Sequence, residues 1–289
     1  MRFDLSAPSS KLLREISIQD DTVMQSFTFT SDAIYTIQVV SGGQKLPGEP
    51  QSSTGTDRLN RGDLTITKLS LTGVEQGHMY LLGAGHGVAI GSEKIGSDTF
   101  LWTELDADSA ARGTNIGRFK FVDGCVLTGC SPYVTRYVYP GDNVTPVIDG
   151  SNICIRYDDV AGHRYATYDL TSFKAGGLVP ISDVLVTDPV YTFQGWTLYS
   201  GYLYLLEGDA YGSPDSTAPD GNTYITIVDA ATGEVVDRQL TRAANTLDYR
   251  EPEGMAIQST TGGPRLCFGF ASGASGARLA SIYYKNVLI

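Results

Sequence analysis

Four short segments of the chain each open on a side chain that can exchange a proton or fix a hydroxyl: Gln25-Ser-Phe-Thr-Phe, His86-Gly-Val-Ala-Ile, Gln194-Gly-Trp-Thr-Leu and Glu253-Gly-Met-Ala-Ile. The two amides supply donors and acceptors of the kind that sugar hydroxyls require. An imidazole near carboxylates holds a proton at neutral pH, and crowded glutamates push one another's pKa upward. His86 and Glu253 are therefore a candidate proton-transfer pair. The first residue of each segment is followed by Gly or Ser and then by alternating apolar positions, so each must be positioned by the start of a strand.

The spacing of these segments organises the chain. They are 61, 108 and 59 residues apart, and the middle interval is twice 54. A fifth copy is expected inside it, and Val144-Thr-Pro-Val-Ile keeps the alternation while lacking the polar lead. A second strand follows each copy: IYTIQ (34–38), FLWTE (100–104), ICIRY (153–157), LYLLE (203–207) and LCFGF (266–270). Third strands follow at DLTITKLSL, NIGRFKFV, RYATYDL, TYITIVDA and ARLASIYYK, and fourth strands at HMYLLG, CVLTG and VVDRQL. Four short strands repeated five times predict an all-β, five-bladed β-propeller in one domain spanning 1–289. The last unit stops after its third strand, so the N-terminal stretch KLLREISI is expected to complete it and close the ring. The repeats are far too long for a parallel β-helix.

In such a blade the first strand lines the channel and the second runs antiparallel beside it, so strand starts and strand ends share one face. This adds a second tier, Gln38, Glu104 and Glu207, to the first. Glu104 joins His86 and Glu253 as the candidate catalytic set, orienting them or stabilising charge. Gln25, Gln38, Gln194 and Glu207 are candidate ligand contacts. Blade three supplies Tyr157 there, with Arg156 and Asp158 adjacent, and blade five supplies Phe270. Arg250, in Tyr249-Arg-Glu-Pro-Glu, could clamp an anion, while Glu251 and Glu253 could take a cation. Trp102, with Trp196, Tyr199 and Tyr211, offers rings for stacking on sugars or, equally, for packing between blades. A polar ring also arises without function wherever inner strands end, and the small second residue could serve close approach at the centre. His78 and His163 read as ordinary loop histidines.

The bulk numbers exclude several classes. Net charge is −11 with no Lys/Arg cluster, so neither nucleic acid nor an anionic membrane is expected as a partner. No apolar run is long enough to span a membrane, and the polar N-terminus has no secretory leader pattern. Four cysteines are too few for a disulfide scaffold; Cys125 and Cys130 flank a turn and could pair in an oxidising compartment, whereas Cys154 and Cys267 read as buried. No metal-ligand spacing, nucleotide loop or GxSxG turn is present, so no cofactor is expected. A Ca²⁺ at the mouth would suit the carboxylates, though without an Asp-x-Asp loop they form no motif.

The runs VMQSFTF, GDLTITKLSL, GAGHGVAIG, FLWTELDA, TFQGWTLYSGYLYLLEG, YREPEGMAI and PRLCFGFASG resemble the propeller of staphylococcal-phage receptor-binding proteins and of proteins called teichoic acid biosynthesis protein C, a family also found in actinobacteria. The resemblance spans essentially the whole chain. It implies a five-bladed propeller that recognises a cell-wall glycopolymer, chiefly teichoic acid, in an extracellular or phage-associated setting. The chain shows no stem or trimerisation segment, which argues against a stand-alone tail fibre. The expected function is recognition of a bacterial surface glycopolymer at the central mouth. The alternative is an enzyme, a polysaccharide lyase or glycoside hydrolase, working through His86 and Glu253.

Overall fold

The computed structural model describes residues 1–187 and 189–289. Strand β1 (Ser10–Ile16) stands apart from the strands that follow it in sequence. Blade one is β2 (Met24–Phe29), β3 (Ala33–Val39), β4 (Leu64–Ser70) and β5 (Glu75–Leu82). Blade two is β6 (Gly91–Ile95), β7 (Asp98–Ala107) and β8 (Gly113–Lys120), followed by β9 (Val126–Thr128) and β10 (Val134–Val138). Blade three is β11 (Asp142–Asp149), β12 (Asn152–Asp159), β13 (Gly162–Asp169) and β14 (Ser182–Leu185). Blade four is β15 (Phe193–Tyr199), β16 (Tyr202–Glu207), β17 (Tyr224–Asp229) and β18 (Val235–Leu240). Blade five is β19 (Glu251–Thr260), β20 (Gly263–Ser272) and β21 (Leu279–Lys285), with β1 pairing antiparallel to β21 as its outer strand. The five blades form the ring that the repeat predicts, closed by the N-terminal strand.

Closure is reinforced at both termini. Phe3 bridges to Leu288, Arg2 N–H donates to the Ile289 carbonyl at 2.9 Å, and the fully buried Phe3 ring packs on Tyr199 and Tyr204. The edges of the first and last elements are thereby covered. Apolar clusters fill the spaces within and between blades: Ile37, Ile66, Leu81 and Leu101 join blade one to blade two, and Trp196, Tyr165 and Cys154 join blade four to blade three.

Two expectations change in detail. CVLTG does not close blade two. Its β9 pairs in parallel with β5, as an added outer strand of blade one, and β10 takes its place beside β8. A three-residue apolar strand carries no information about which sheet it joins, so the chain clasps blade one before returning. In blade two, the segment from His86 to Ile90 is not itself a strand; the ladder with β7 begins only at Gly91 opposite Trp102. The Gly-rich approach turns too sharply to pair, with left-handed backbone at Gly83 and Gly87, and side chains of β7 hold it instead.

The residue after each polar lead forms the waist of the channel. A Cβ on Gly195 would lie 2.7 Å from Gly254 Cα, and one on Gly254 would lie 2.6 Å from Ser26 Cα. Ser26 Oγ then donates to the Gly87 carbonyl at 2.5 Å. Blades four, five and one thus touch backbone to backbone, and the Ser26 hydroxyl links blade one to blade two. Blade three completes the circle with a bulkier Val144, fully buried.

Candidate functional site

The polar leads reach the channel mouth because the inner strands bulge there. Pairing of β2 with β3 skips Gln25, pairing of β15 with β16 skips Gln194, and the β19–β20 register slips just after Glu253. An extra residue in one strand bends it and re-aims a side chain. The β11–β12 pair shows the same slip between Asp142 and Thr145, and there Asn143 adopts φ 51°. Asparagine tolerates this left-handed conformation better than most residues. Blade three therefore has a polar counterpart one residue ahead of Val144, which the alternating pattern alone conceals.

Gln25, His86, Asn143, Gln194 and Glu253 line one cavity of about 440 Å³, one from each blade. Four of them are the leads read from the sequence. The wall also carries Arg112, Arg156, His163, Thr192, Phe193 and Glu251. Arg112 sits on the connection from β7 to β8, and His163 lies at the start of β13, paired with Asp158, on the same face as the second-strand ends. His163 is thus a wall residue of the mouth rather than an ordinary loop histidine. Its Nδ1 lies against Asp158 Oδ1 and 2.9 Å from Arg156 Nη2. Asp158 also accepts from Asn143 Nδ2 at 3.0 Å, tying the blade-three lead to the same group. A second hollow of about 410 Å³ adjoins the mouth, sharing Val23 and running past Ser41 and Gly42 to Arg278.

Burial shifts the two proton-transfer candidates in opposite directions. Burial, helped by the charge on Arg112, lowers the pKa of His86 to about 4, so the imidazole is neutral at pH 7. Burial, with the adjoining Glu251 carboxylate, pushes Glu253 well above the usual carboxylate range. Removing a charged group from water disfavours the charged form of either residue, which is why the shifts run in opposite directions. Against the expectation that His86 holds a proton near neutrality, burial disfavours its charged form, and it disfavours the charged form of Glu253 as well.

The second tier lies outside the mouth. Glu104 is fully buried, and its carboxylate accepts Gly87 N–H at 2.6 Å and Gly113 N–H at 2.7 Å. Burial raises its pKa against the opposing pull of these amides. Gln38 is equally buried; its Nε2 donates at 2.7 Å to the carbonyls of both Asp20 and Thr22. Glu207 accepts Tyr191 N–H at 2.9 Å and pairs with Arg238 at 2.7 Å. Each grips the backbone that leads into its own blade's inner strand. Their part is to hold the first tier in place.

Three further expectations are redirected in the same way. Arg250 is fully buried, donating to the carbonyls of Ala243 and Thr241 and to Thr223 Oγ1, with Phe270 4.7 Å from the guanidinium; it has no face left for an anion. Trp102 is fully buried and stacked on Tyr137, and Trp196 donates to Thr145 Oγ1 across the blade boundary, so both indoles pack blades together. Tyr157 donates to Asp183 below the mouth and Phe270 belongs to the core. Cys125 and Cys130 are unpaired, and Cys154 and Cys267 are buried. Among the described residues no three His, Cys, Asp or Glu side chains gather as metal ligands. No helix among them is long and apolar enough to cross a membrane.

The resemblance seen in the motifs is shown by comparison with known proteins. The chain is 29% identical over 307 aligned positions to the putative major teichoic acid biosynthesis protein C of Bacillus subtilis, covering 99% of this chain and 65% of that protein. Its fold matches the tail fibre of Staphylococcus aureus phage P68 with a TM-score of 0.76 at 18% identity, over 99% of this chain and 54% of the fibre. A GH43 β-xylosidase/α-arabinofuranosidase from a compost metagenome shares the propeller with a TM-score of 0.50 at 12% identity, covering 96% of this chain and 95% of the enzyme. The chain thus spans about half to two thirds of the length of the first two. No family model matches.

Proposed function

We propose that this propeller recognises a bacterial cell-surface glycopolymer, teichoic-acid-like or a related polysaccharide, at its central mouth. The carrying observation is that five blades each deliver one hydrogen-bonding lead to a single cavity, with an adjoining hollow along which a chain could continue. Amide and carboxyl groups held by bulges, with an imidazole held by a Gly-rich turn, suit repeated hydroxyls, and preorganisation lowers the ordering cost of binding. The names borne by the bacterial relative and the phage fibre support a cell-wall ligand and an extracellular or phage-associated setting.

A second reading rests on one specific observation. Burial favours the protonated form of Glu253 and the neutral form of His86, and both line the same cavity. That is the complementary pair required for general acid–base cleavage of a glycan. Incubation with purified wall glycopolymers separates the two. Retention without new chain ends establishes a binding module; fragments that vanish in Glu253→Gln or His86→Ala establish an enzyme. Absence of both retention and cleavage on teichoic acids and neutral polysaccharides refutes glycopolymer recognition.

A further inference from the structure

Past the waist, the inner strands run out into another cavity, of about 290 Å³, at the opposite end of the channel. Its wall carries three charged side chains, Glu93, Lys94 and Asp149. Two of them are already matched. Glu93 pairs with Arg118 at 2.9 Å and with Lys174 at 2.5 Å, and Lys94 pairs with Asp32 at 2.5 Å. Asp149, at the end of β11, has no ion-pair partner among the described residues. Burial raises its pKa, and only the Ser200 N–H opposes that rise. Thr197, on β15, is 4% exposed and lines the same cavity, yet its hydroxyl makes no hydrogen bond with the described residues. A buried polar group without a partner is costly, and a ligand is one way to supply the partner.

The unspent capacity of this wall lies on the acceptor side. Thr28, on β2, is buried with its Oγ1 3.3 Å from Ser92 Oγ. Ser92 gives its own proton to the Phe29 carbonyl at 2.9 Å, so Thr28 donates to Ser92 and keeps lone pairs in hand. One carboxylate and two hydroxyl oxygens thus remain to be matched, while the cationic groups beside them are committed to Glu93 and Asp32. An alcohol would serve the oxygens and leave the charge unpaired. A divalent metal finds no set of three His, Cys, Asp or Glu ligands among the described residues. A primary ammonium brings three donors and one positive charge, and Phe29, Ile148 and Ile257 give the wall an apolar side for its stem. We propose that this cavity binds a small primary amine, its ammonium held by Asp149 and by the hydroxyls of Thr197 and Thr28. The volume stands at the lower end of small-molecule sites, about 300 to 1,000 Å³, so the ligand is a small molecule and not a polymer. A net charge of −11 favours the approach of a cation. The site lies across the waist from the mouth and does not rest on the glycopolymer reading.

The test is an NMR titration of isotopically labelled protein with n-butylamine at pH 7, where the amine is protonated. The Asp149 side-chain carboxyl resonance should move saturably, with a Kd on the order of a millimolar, and its acid midpoint should fall as the ammonium pairs with it. n-Butanol, and sodium chloride at matched ionic strength, should leave that resonance in place. Gln25 and Glu253, at the mouth, should not respond to the amine. Asp149→Asn keeps an acceptor for the Ser200 N–H and should weaken binding about tenfold or more. Thr197→Val removes a hydroxyl that the fold does not use and should weaken it about threefold. An unmoved resonance overturns the site, as does a shift that butanol or sodium chloride reproduces, or one that persists at full affinity in Asp149→Asn. Movement with calcium chloride but not with the amine also overturns it, in favour of a metal.

Discussion

The first and second tiers of polar residues began as equivalent features of the sequence, yet the structure gives them opposite work. Gln25, His86, Asn143, Gln194 and Glu253 face a cavity, whereas Gln38, Glu104 and Glu207 are buried and bind backbone. For the four leads on paired strands the bulge makes the difference, while His86 is held by the Gly-rich turn that Glu104 grips. An extra residue at the start of the inner strand turns one side chain into the channel, while the unbulged second strand keeps its terminal side chain between layers. A polar residue at a strand end can thus be part of a site or part of its scaffold, and the local register decides which.

Substitutions in the two tiers should separate sharply. Glu104→Ala leaves the Gly87 and Gly113 amides without acceptors and should cost about 3 kcal/mol or more in urea unfolding, with His86 displaced as a consequence. A loss below about 1 kcal/mol would return Glu104 to the list of candidate chemical groups. Gly254→Ala should cost roughly 2 kcal/mol, because it combines φ 65° with a 2.6 Å approach to Ser26 Cα.

The pH dependence sharpens the same contrast. His86 has a folded pKa of about 4 against 6.5 when free, so its stabilising contribution is present above pH 6.5 and is lost as pH falls through 4. His86→Gln should therefore flatten the acid limb of the stability profile by at most about 3 kcal/mol over that window. Glu253 acts with the reverse sign: its contribution is full below the free carboxyl value of 4.5 and fades as pH rises towards its elevated folded pKa. Glu253→Gln should remove that alkaline loss. Equal profiles for parent and both variants would contradict the two shifts. The smallest effect on stability is expected for Gln25→Ala, within about 0.5 kcal/mol, since its amide faces the cavity and makes no hydrogen bond to the described residues.

Much of the fold was legible because the repeat couples three signals: a polar lead, a small second residue and period-2 alternation. The small residue proved to be the narrow waist, a requirement of space that needs no ligand. Four of the five leads were readable for the same reason. Asn143 was not, because a bulge shifts it out of alternation; an Asp-Asn pair ahead of a strand was the available signal. Arg112 was missed and His163 read as an ordinary loop histidine because they lie in or just after the turn between second and third strands, whose face follows from topology rather than from any pattern of their own. Arg250 and Trp102 were misplaced because charge and aromaticity do not report burial; a guanidinium with three internal acceptors is as well satisfied inside as out.

The central claim is that the mouth carrying the five leads, and no other surface, receives the polymer. Mapping amide shifts of isotopically labelled protein during titration with purified wall teichoic acid tests it most directly. Perturbations should cluster at Gln25, His86, Arg112, Asn143, Gln194 and Glu253, then spread towards Ser41 and Arg278. Perturbations confined to the opposite end of the channel, around Ser92, Asp149 and Ser259, would contradict it.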